Sequence, residues 1–420
     1  MKLTKTTEQL ISFFVKKKCI ENVVQTNKTD NILGKLYNEI DIANDYINSL
    51  KDAQGLAFYN LTIKEIKSVN DIPKSALMSG SGFPEQIKQH INKHTLYQLL
   101  YQFKLFNKTI RIIFLIENNS TRNIRKYNKY VDNMLVWLTI ISKVASPSCS
   151  KVLNVFVYFT SMKKVLPESQ HMVLEANNVN TAFTTTCPVN SDIVIFRQEE
   201  WFKVFIHETF HNFALDFSDM NVTNAHKKIL EIFSVKSKVN LFEAYTEFWA
   251  RIMNTAFCSY LNLKDKKDVE LFLAGMEYFI NFERTYAFFQ MVKVLDFMGL
   301  TYSALIKKDV SSQLLRNSLY KEETNVLSYY VITTILMNNY QLFLSWCNNH
   351  NSPVFLFNHT NKTLNDFLYF IHNSYKTSSF IKGVSCAEKL LKQVKQTGNR
   401  KDAEIKFVLN NLRMSVCELG

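Results

Sequence analysis

Apolar and polar positions alternate with two different periods along this chain, and the change of period divides it into regions. Residues 1 to about 95 read as several helices with polar connections, such as Thr7 to Val24 and Asn31 to Ser49. The stretch Ser79-Gly80-Ser81-Gly82, followed by Pro84, is the clearest linker signal. Leu96 to Phe106 and Thr109 to Ile116 are β-rich runs on either side of Asn107-Lys108, which predicts a hairpin. A helix from about Ile124 to Val144 precedes a strand from Val152 to Phe159. Val179 to Thr184 reads as a short strand at a sheet edge, and Asp192 to Phe196 as one more. Helical spacing returns at Gln198 to Phe217. Beyond Asn224 the pattern is almost wholly helical, including about Asn240 to Leu261, Val269 to Met298 and Val326 to Trp346. No internal repeat or low-complexity tract breaks this order.

Strands that precede a long helical region predict an α+β fold, with a sheet of four or five strands packed on the Gln198–Phe217 helix. Three regions follow: a helical extension (1–95), the sheet and that helix (96–222), and a helical subdomain (223–420).

Composition narrows the class. A chain of 420 residues that is 47% hydrophobic, with 9 Gly and 6 Pro, is globular with a large core. The net charge of +13 would attract nucleic acid, anionic membrane or acidic substrates. The basic residues are scattered, however. The tightest run is Lys16, Lys17 and Lys18, followed by pairs such as Lys227 and Lys228, and such groups decorate solvated faces, so nucleic acid is not expected as the main partner. The uncharged stretch Thr324 to Asn349 has the length of a membrane span, but Asn338, Asn339 and Gln341 cut its apolar character, which predicts a buried helix and no span. Leu10 to Val15 is too short for a signal segment and holds Ser12. Seven cysteines at irregular spacings, without CxxC, predict free thiols in the cytoplasm or another reducing compartment.

The chemistry concentrates at His207-Glu208-Thr209-Phe210-His211, an HExxH. Zinc takes neutral imidazole nitrogens at about 2 Å in a tetrahedral arrangement. Residues four apart on a helix lie within about 40° of each other, so both rings reach one ion. Glu208, one step round the helix, is no ligand; it stands where it can deprotonate a water that the ion acidifies toward a pKa of about 7. Trp201, Phe202, Val204, Phe205, Ile206 and Phe210 make this helix apolar on nearly every side. Such a helix is buried, so its polar stripe needs partners inside the fold, and one zinc ion per chain would supply them. The same residues also admit a second reading, two core histidines bonded to backbone or carboxylates with Glu208 paired to Lys203 or Lys227.

A third histidine at the HExxHxxGxxH spacing is absent, since Ala214 stands at the glycine position and Phe217 at the histidine position. Asp216 points well round the helix and would serve a loop or cap more readily than the same ion. Further on, Asn240-Leu241-Phe242-Glu243-Ala244-Tyr245-Thr246-Glu247 carries two carboxylates at i and i+4 on one helix face. Together with HExxH this resembles the second motif of the gluzincin-type zinc metallopeptidases, over about 70 residues of the chain. The flanking regions resemble no characterised peptidase, which points to an uncharacterised branch of viral type. The resemblance implies a zincin-like core, Glu243 as third zinc ligand, and Glu247 holding a ligand imidazole from behind. It also implies that Asn180, Ala182 and Phe183 form the edge strand that binds an extended polypeptide substrate. The plainer alternative for Glu247 is an i, i+4 pair with Arg251 on a solvated face.

Gluzincins stabilise the tetrahedral intermediate with a Tyr or His from the later helices. Tyr329 and Tyr330 are the expected donors, with Tyr286, Tyr302 and His226 behind them. The implied activity is hydrolysis of peptide bonds by zinc-activated water with Glu208 as general base. Two other classes stay open: an inactive zincin-fold interaction protein, and a basic nucleic-acid-associated factor.

Overall fold

The computed structural model describes residues 2–17, 19–80, 82–118, 123–397 and 402–420. Lys18 of the basic run and Ser81 of the linker signal lie outside the described residues. The chain opens with helices α1 (Lys5–Lys16) and α2 (Asn27–Gln54). Each is N-capped by a threonine hydroxyl, Thr4 accepting from the Thr7 amide and Thr26 from the Thr29 amide, both at 3.3 Å. Then come β1 (Leu61–Glu65), α3 (Glu85–His94), β2 (Tyr97–Leu105), β3 (Lys108–Ile116), α4 (Ile124–Ser142), β4 (Val152–Phe159), the single turn α5 (Ala176–Val179), β5 (Ala182–Thr184), β6 (Asn190–Ile195) and α6 (Trp201–Asn212).

The six strands form one mixed sheet in the order β1-β2-β3-β4-β6-β5. β1, β2 and β3 pair antiparallel, β4 lies parallel between β3 and β6, and β5 pairs antiparallel with β6 at the far edge. Side chains alternate across it. Ile112, Phe114, Val155, Val157, Ile193 and Ile195 face the main core, which includes α4 and α6, while Ile113, Leu115, Phe156, Tyr158 and Val194 pack on α3 through Ile87 and Ile91. β3, β4 and β6 are thus covered on both faces, which accounts for the nearly continuous apolar runs of β3 and β4 and the Ile193–Ile195 run of β6.

The rest of the chain is helical: α7 (Thr223–Ile232), α8 (Leu241–Asn262), α9 (Val269–Phe297), α10 (Tyr302–Ile306), α11 (Val310–Leu319), α12 (Thr333–Asn338), α13 (Tyr340–His350), α14 (Asn361–Ser374), α15 (Ser378–Thr397) and α16 (Ala403–Asn410). α8 and α9 are buried along most of their length; α8 backs the sheet-packed α6, and α9 packs on α8. The segment after α16 is buried too. Leu412 donates to the Lys164 carbonyl at 2.9 Å, and Glu283 of α9 accepts from the Val416 and Cys417 amides at 2.9 and 2.8 Å.

The α+β class is as expected, and several elements differ from the sequence reading. Among the described residues there are six strands, because Leu61–Glu65, inside the first 95 residues, pairs with β2. β5 begins only at Ala182, since Val179 closes the turn α5. α6 stops at Asn212, where Ala214 turns to a positive φ of 51° and the Leu215 amide returns to the Phe210 carbonyl at 2.8 Å. The expected helix Val326 to Trp346 is a π-helical turn (Leu327–Ile332) followed by α12 and α13. No helix among the described residues is long and apolar enough to cross a membrane. The free-thiol expectation fails at four positions. Cys19 is bridged to Cys386 and Cys149 to Cys187, at Cα separations of 5.8 and 4.5 Å, while Cys258, Cys347 and Cys417 are free and buried. Folding brings these pairs together across 367 and 38 positions, which no local spacing reveals.

Candidate metal centre

α6 is fixed at several points. The Trp137 indole of α4 donates to the Thr209 hydroxyl at 2.7 Å. Asn212 donates to the Thr184 hydroxyl at 2.8 Å and accepts from Ser150 at 2.5 Å, which ties the end of α6 to the β5 edge. α8 packs on the other side of α6 and brings Glu243, in its first turn, opposite the two histidines.

Three donor atoms converge there. His207 Nε2 and His211 Nε2 are 3.3 Å apart, and Glu243 Oε2 lies 3.1 Å from the first and 3.3 Å from the second. Donors at about 2.0–2.1 Å from a tetrahedral ion are separated by about 3.3 Å. The three separations therefore match the edges of a zinc-sized tetrahedron, and these residues could hold a metal ion.

Each imidazole is held from behind by a carboxylate. His207 Nδ1 lies 3.1 Å from Glu247 Oε2, and His211 Nδ1 is hydrogen-bonded to Asp216 Oδ2. Donation from Nδ1 leaves the Nε2 lone pair directed at the cluster, the tautomer a metal ligand needs. Glu247 is fully buried and also accepts from Lys203 at 3.0 and 2.9 Å and from Arg251 at 2.8 Å. The i, i+4 pair with Arg251 therefore exists, but inside the core. Burial alone would raise the Glu247 carboxyl; Lys203, Arg251 and His207 outweigh it and hold it well below the ordinary range. Asp216 accepts from Ser218 N and Thr246 Oγ1, both at 3.0 Å, so it shapes the turn after α6 and orients His211 at once. Sequence reasoning kept Asp216 for a loop or cap; the early end of α6 is what swings it back onto His211.

Glu243 is likewise held low: burial opposes ionisation, and His211 and His207 overcome it. Burial also works against charge on both histidines, yet the surrounding carboxylates raise His207 and raise His211 strongly. Glu208 differs. Among the described residues its carboxylate makes no hydrogen bond or ion pair, and burial raises its pKa against the pull of His207 and His211. Lys203, a partner considered for it, is taken by Glu247.

Glu208 lines a small cleft, about 30 Å³, together with His207, Asn180, Ala182, Tyr329 and Met414. The Tyr329 hydroxyl donates to Glu243 Oε2 at 2.9 Å. It projects from the π-helical turn, whose start is capped by Glu322 accepting from Leu327 N at 3.2 Å and from Val326 N. Two expected site residues are corrected. Tyr330 turns away and donates to the Leu412 carbonyl at 2.7 Å, because adjacent helical positions diverge. Phe183 packs against Phe83 and Phe196 on the opposite face of the sheet, one residue out of phase with Ala182. The other donors considered are also elsewhere: Tyr286 on Asn411, Tyr302 on the Tyr375 carbonyl, and His226 on α7.

No family model, curated protein or solved structure matches the chain.

Proposed function

We propose that the chain is a zinc-dependent peptidase with a zincin-like core, in which His207, His211 and Glu243 hold one zinc ion and Glu208 is the general base. The observation that carries this reading is the triangle of His207 Nε2, His211 Nε2 and Glu243 Oε2 at 3.1 to 3.3 Å, each imidazole backed by a buried carboxylate. Structural zinc sites close with four protein ligands, whereas catalytic ones have three and an open position. Three donors beside an unpaired Glu208 favour catalysis over a metal staple.

Zinc held by His207, His211 and Glu243 would supply Lewis acidity toward a carbonyl and a water. Glu208 accepts a proton from the attacking water and passes it to the leaving amine as the C–N bond breaks. Tyr329, close to Glu243 in the same cleft, is placed to donate a hydrogen bond to the developing oxyanion. Ala182 offers the backbone of an edge strand to an extended polypeptide.

Metal analysis and peptide turnover test this together. The purified chain is expected to carry one zinc, His211→Ala to lose it, and Glu208→Gln to keep zinc and fold while losing turnover. Full zinc content with unchanged turnover in Glu208→Gln would refute the assignment.

A further inference from the structure

We propose that this site acts on the end of a polypeptide and releases one or two residues at a time; this rests on the peptidase reading above. The groove in question is the open edge of β5, which reaches the cleft through Ala182. The Phe196 amide donates to the Thr181 carbonyl at 2.9 Å, and hydrogen-bonded positions alternate in an antiparallel pair. The N–H and C=O of Ala182 therefore point away from β6, to the open side of the sheet beside Glu208. A substrate strand added there lies along residues 180 to 184.

One end of that groove is walled. Thr324 donates its hydroxyl to the Asn180 side chain at 2.7 Å, and the Glu323 amide donates to the Leu174 carbonyl at 3.0 Å, beside a bridge between Leu174 and Glu322. The segment 322–325 thus spans from the approach to β5 across to α8, where Asn325 donates to Glu243 Oε1 at 3.1 Å and accepts from Asn240 at 3.0 Å. Both anchorages are hydrogen-bonded to buried groups. On the sheet side the buried Arg197 guanidinium donates to the carbonyls of Asn180, Lys163 and Asn177 at 3.1, 2.9 and 2.5 Å. On the helical side the Glu322 carboxylate accepts from Ser237 at 2.6 Å and Tyr320 at 2.8 Å and caps the π-helical turn. At the other end, Thr185 and Thr186 are exposed and the groove runs out to solvent.

The room between wall and reacting centre sets the product. Strand residues advance about 3.3 Å each, so the distance from Ala182 back to Asn180 takes roughly two residues before a substrate meets Thr324. A chain can enter from the Thr185 side and end at the wall; it cannot pass through.

The test uses the zinc-loaded full chain and a sequence-diverse pool of peptides from a proteome digest, supplied free, blocked at all amino termini, or amidated at all carboxyl termini. Mass spectrometry of the products is expected to show single residues or dipeptides leaving one end, with one of the two blocked pools cut at least tenfold more slowly. Internal cleavage, with both blocked pools cut at the rate of the free one, would overturn the chain-end assignment and leave the peptidase reading intact. No cleavage of any pool by zinc-loaded protein would overturn both.

Discussion

Tyr329 and Glu243, 86 positions apart, share a hydrogen bond of 2.9 Å at the mouth of the cluster. A phenol so placed can give its hydrogen to Glu243 or to a reacting oxygen, which makes its effect kinetic. Tyr329→Phe is expected to lower kcat about 10²- to 10³-fold with zinc content unchanged. Tyr330→Phe, which removes only the bond to Leu412, should leave kcat within about twofold. Equal losses in the two variants would remove Tyr329 from the reaction.

The carboxylates behind the histidines are expected to act through metal affinity. Asp216→Ala should weaken zinc binding about 10- to 100-fold, read by competition with a chromogenic chelator. Glu247→Gln has a second consequence, because Lys203 and Arg251 lose their shared buried counter-charge. A destabilisation of about 3–5 kcal/mol in urea unfolding is expected, and a loss under 1 kcal/mol would show that the pair is not what holds this layer.

Acidity should separate metal-free from zinc-loaded protein. In the metal-free chain His207 and His211 are raised, so their contribution to stability is complete below about pH 6.5 and is lost as pH rises through their folded values. Asp216, Glu243 and Glu247 are lowered, so theirs is present above about pH 4.5 and lost as pH falls through their folded values. These groups therefore favour the metal-free fold most between about pH 4.5 and 6.5. Zinc must displace the imidazole protons, so the Tm gain on loading should grow from pH 5 to pH 8. A gain independent of pH would mean that the histidines are not the ligands.

The bridges give a covalent test. Under non-reducing conditions the intact mass should fall short of the fully reduced chain by two disulfides' worth of hydrogen, and proteolysis should yield Cys19 linked to Cys386 and Cys149 linked to Cys187. The second bridge lies near the end of α6, where the Cys187 amide donates to the Asn212 carbonyl at 3.2 Å. Replacing both of its cysteines by Ser should cost about 2–4 kcal/mol. Four unmodified thiols at these positions in denatured, unreduced protein would contradict the pairing.

What the sequence made legible follows from where its information is local. His207, Glu208 and His211 could be placed because helical spacing of four fixes direction as well as distance, whereas Glu243 and Glu247 came from the resemblance to the gluzincin second motif. Long apolar runs gave β2, β3 and β4 to within one residue, while β6 starts two residues earlier than its apolar run. Asp216 could not be placed on His211, because the stop at Ala214 is made by an alanine in the left-handed region, where a glycine would have signalled it. Phe183 was lost to a one-residue step that flips a strand's face, and Tyr329 and Tyr330 could not be told apart without the π-helical turn beneath them. β1 and the two bridges depend on partners far along the chain, and local patterns are silent about those.

The buried segment beyond α16 gives the molecule a temporal order. Met414 forms part of the cleft wall, and the amides of Met414 and Ser415 bind Glu200 at 3.0 and 2.6 Å, directly before the helix that carries HExxH. During synthesis the ribosome makes α6 some two hundred residues before the chain that completes its surroundings, so the long-range contacts close last. On the peptidase reading, the cleft around Glu208 stays incomplete in a nascent copy until Met414 and Ser415 have docked on Glu200.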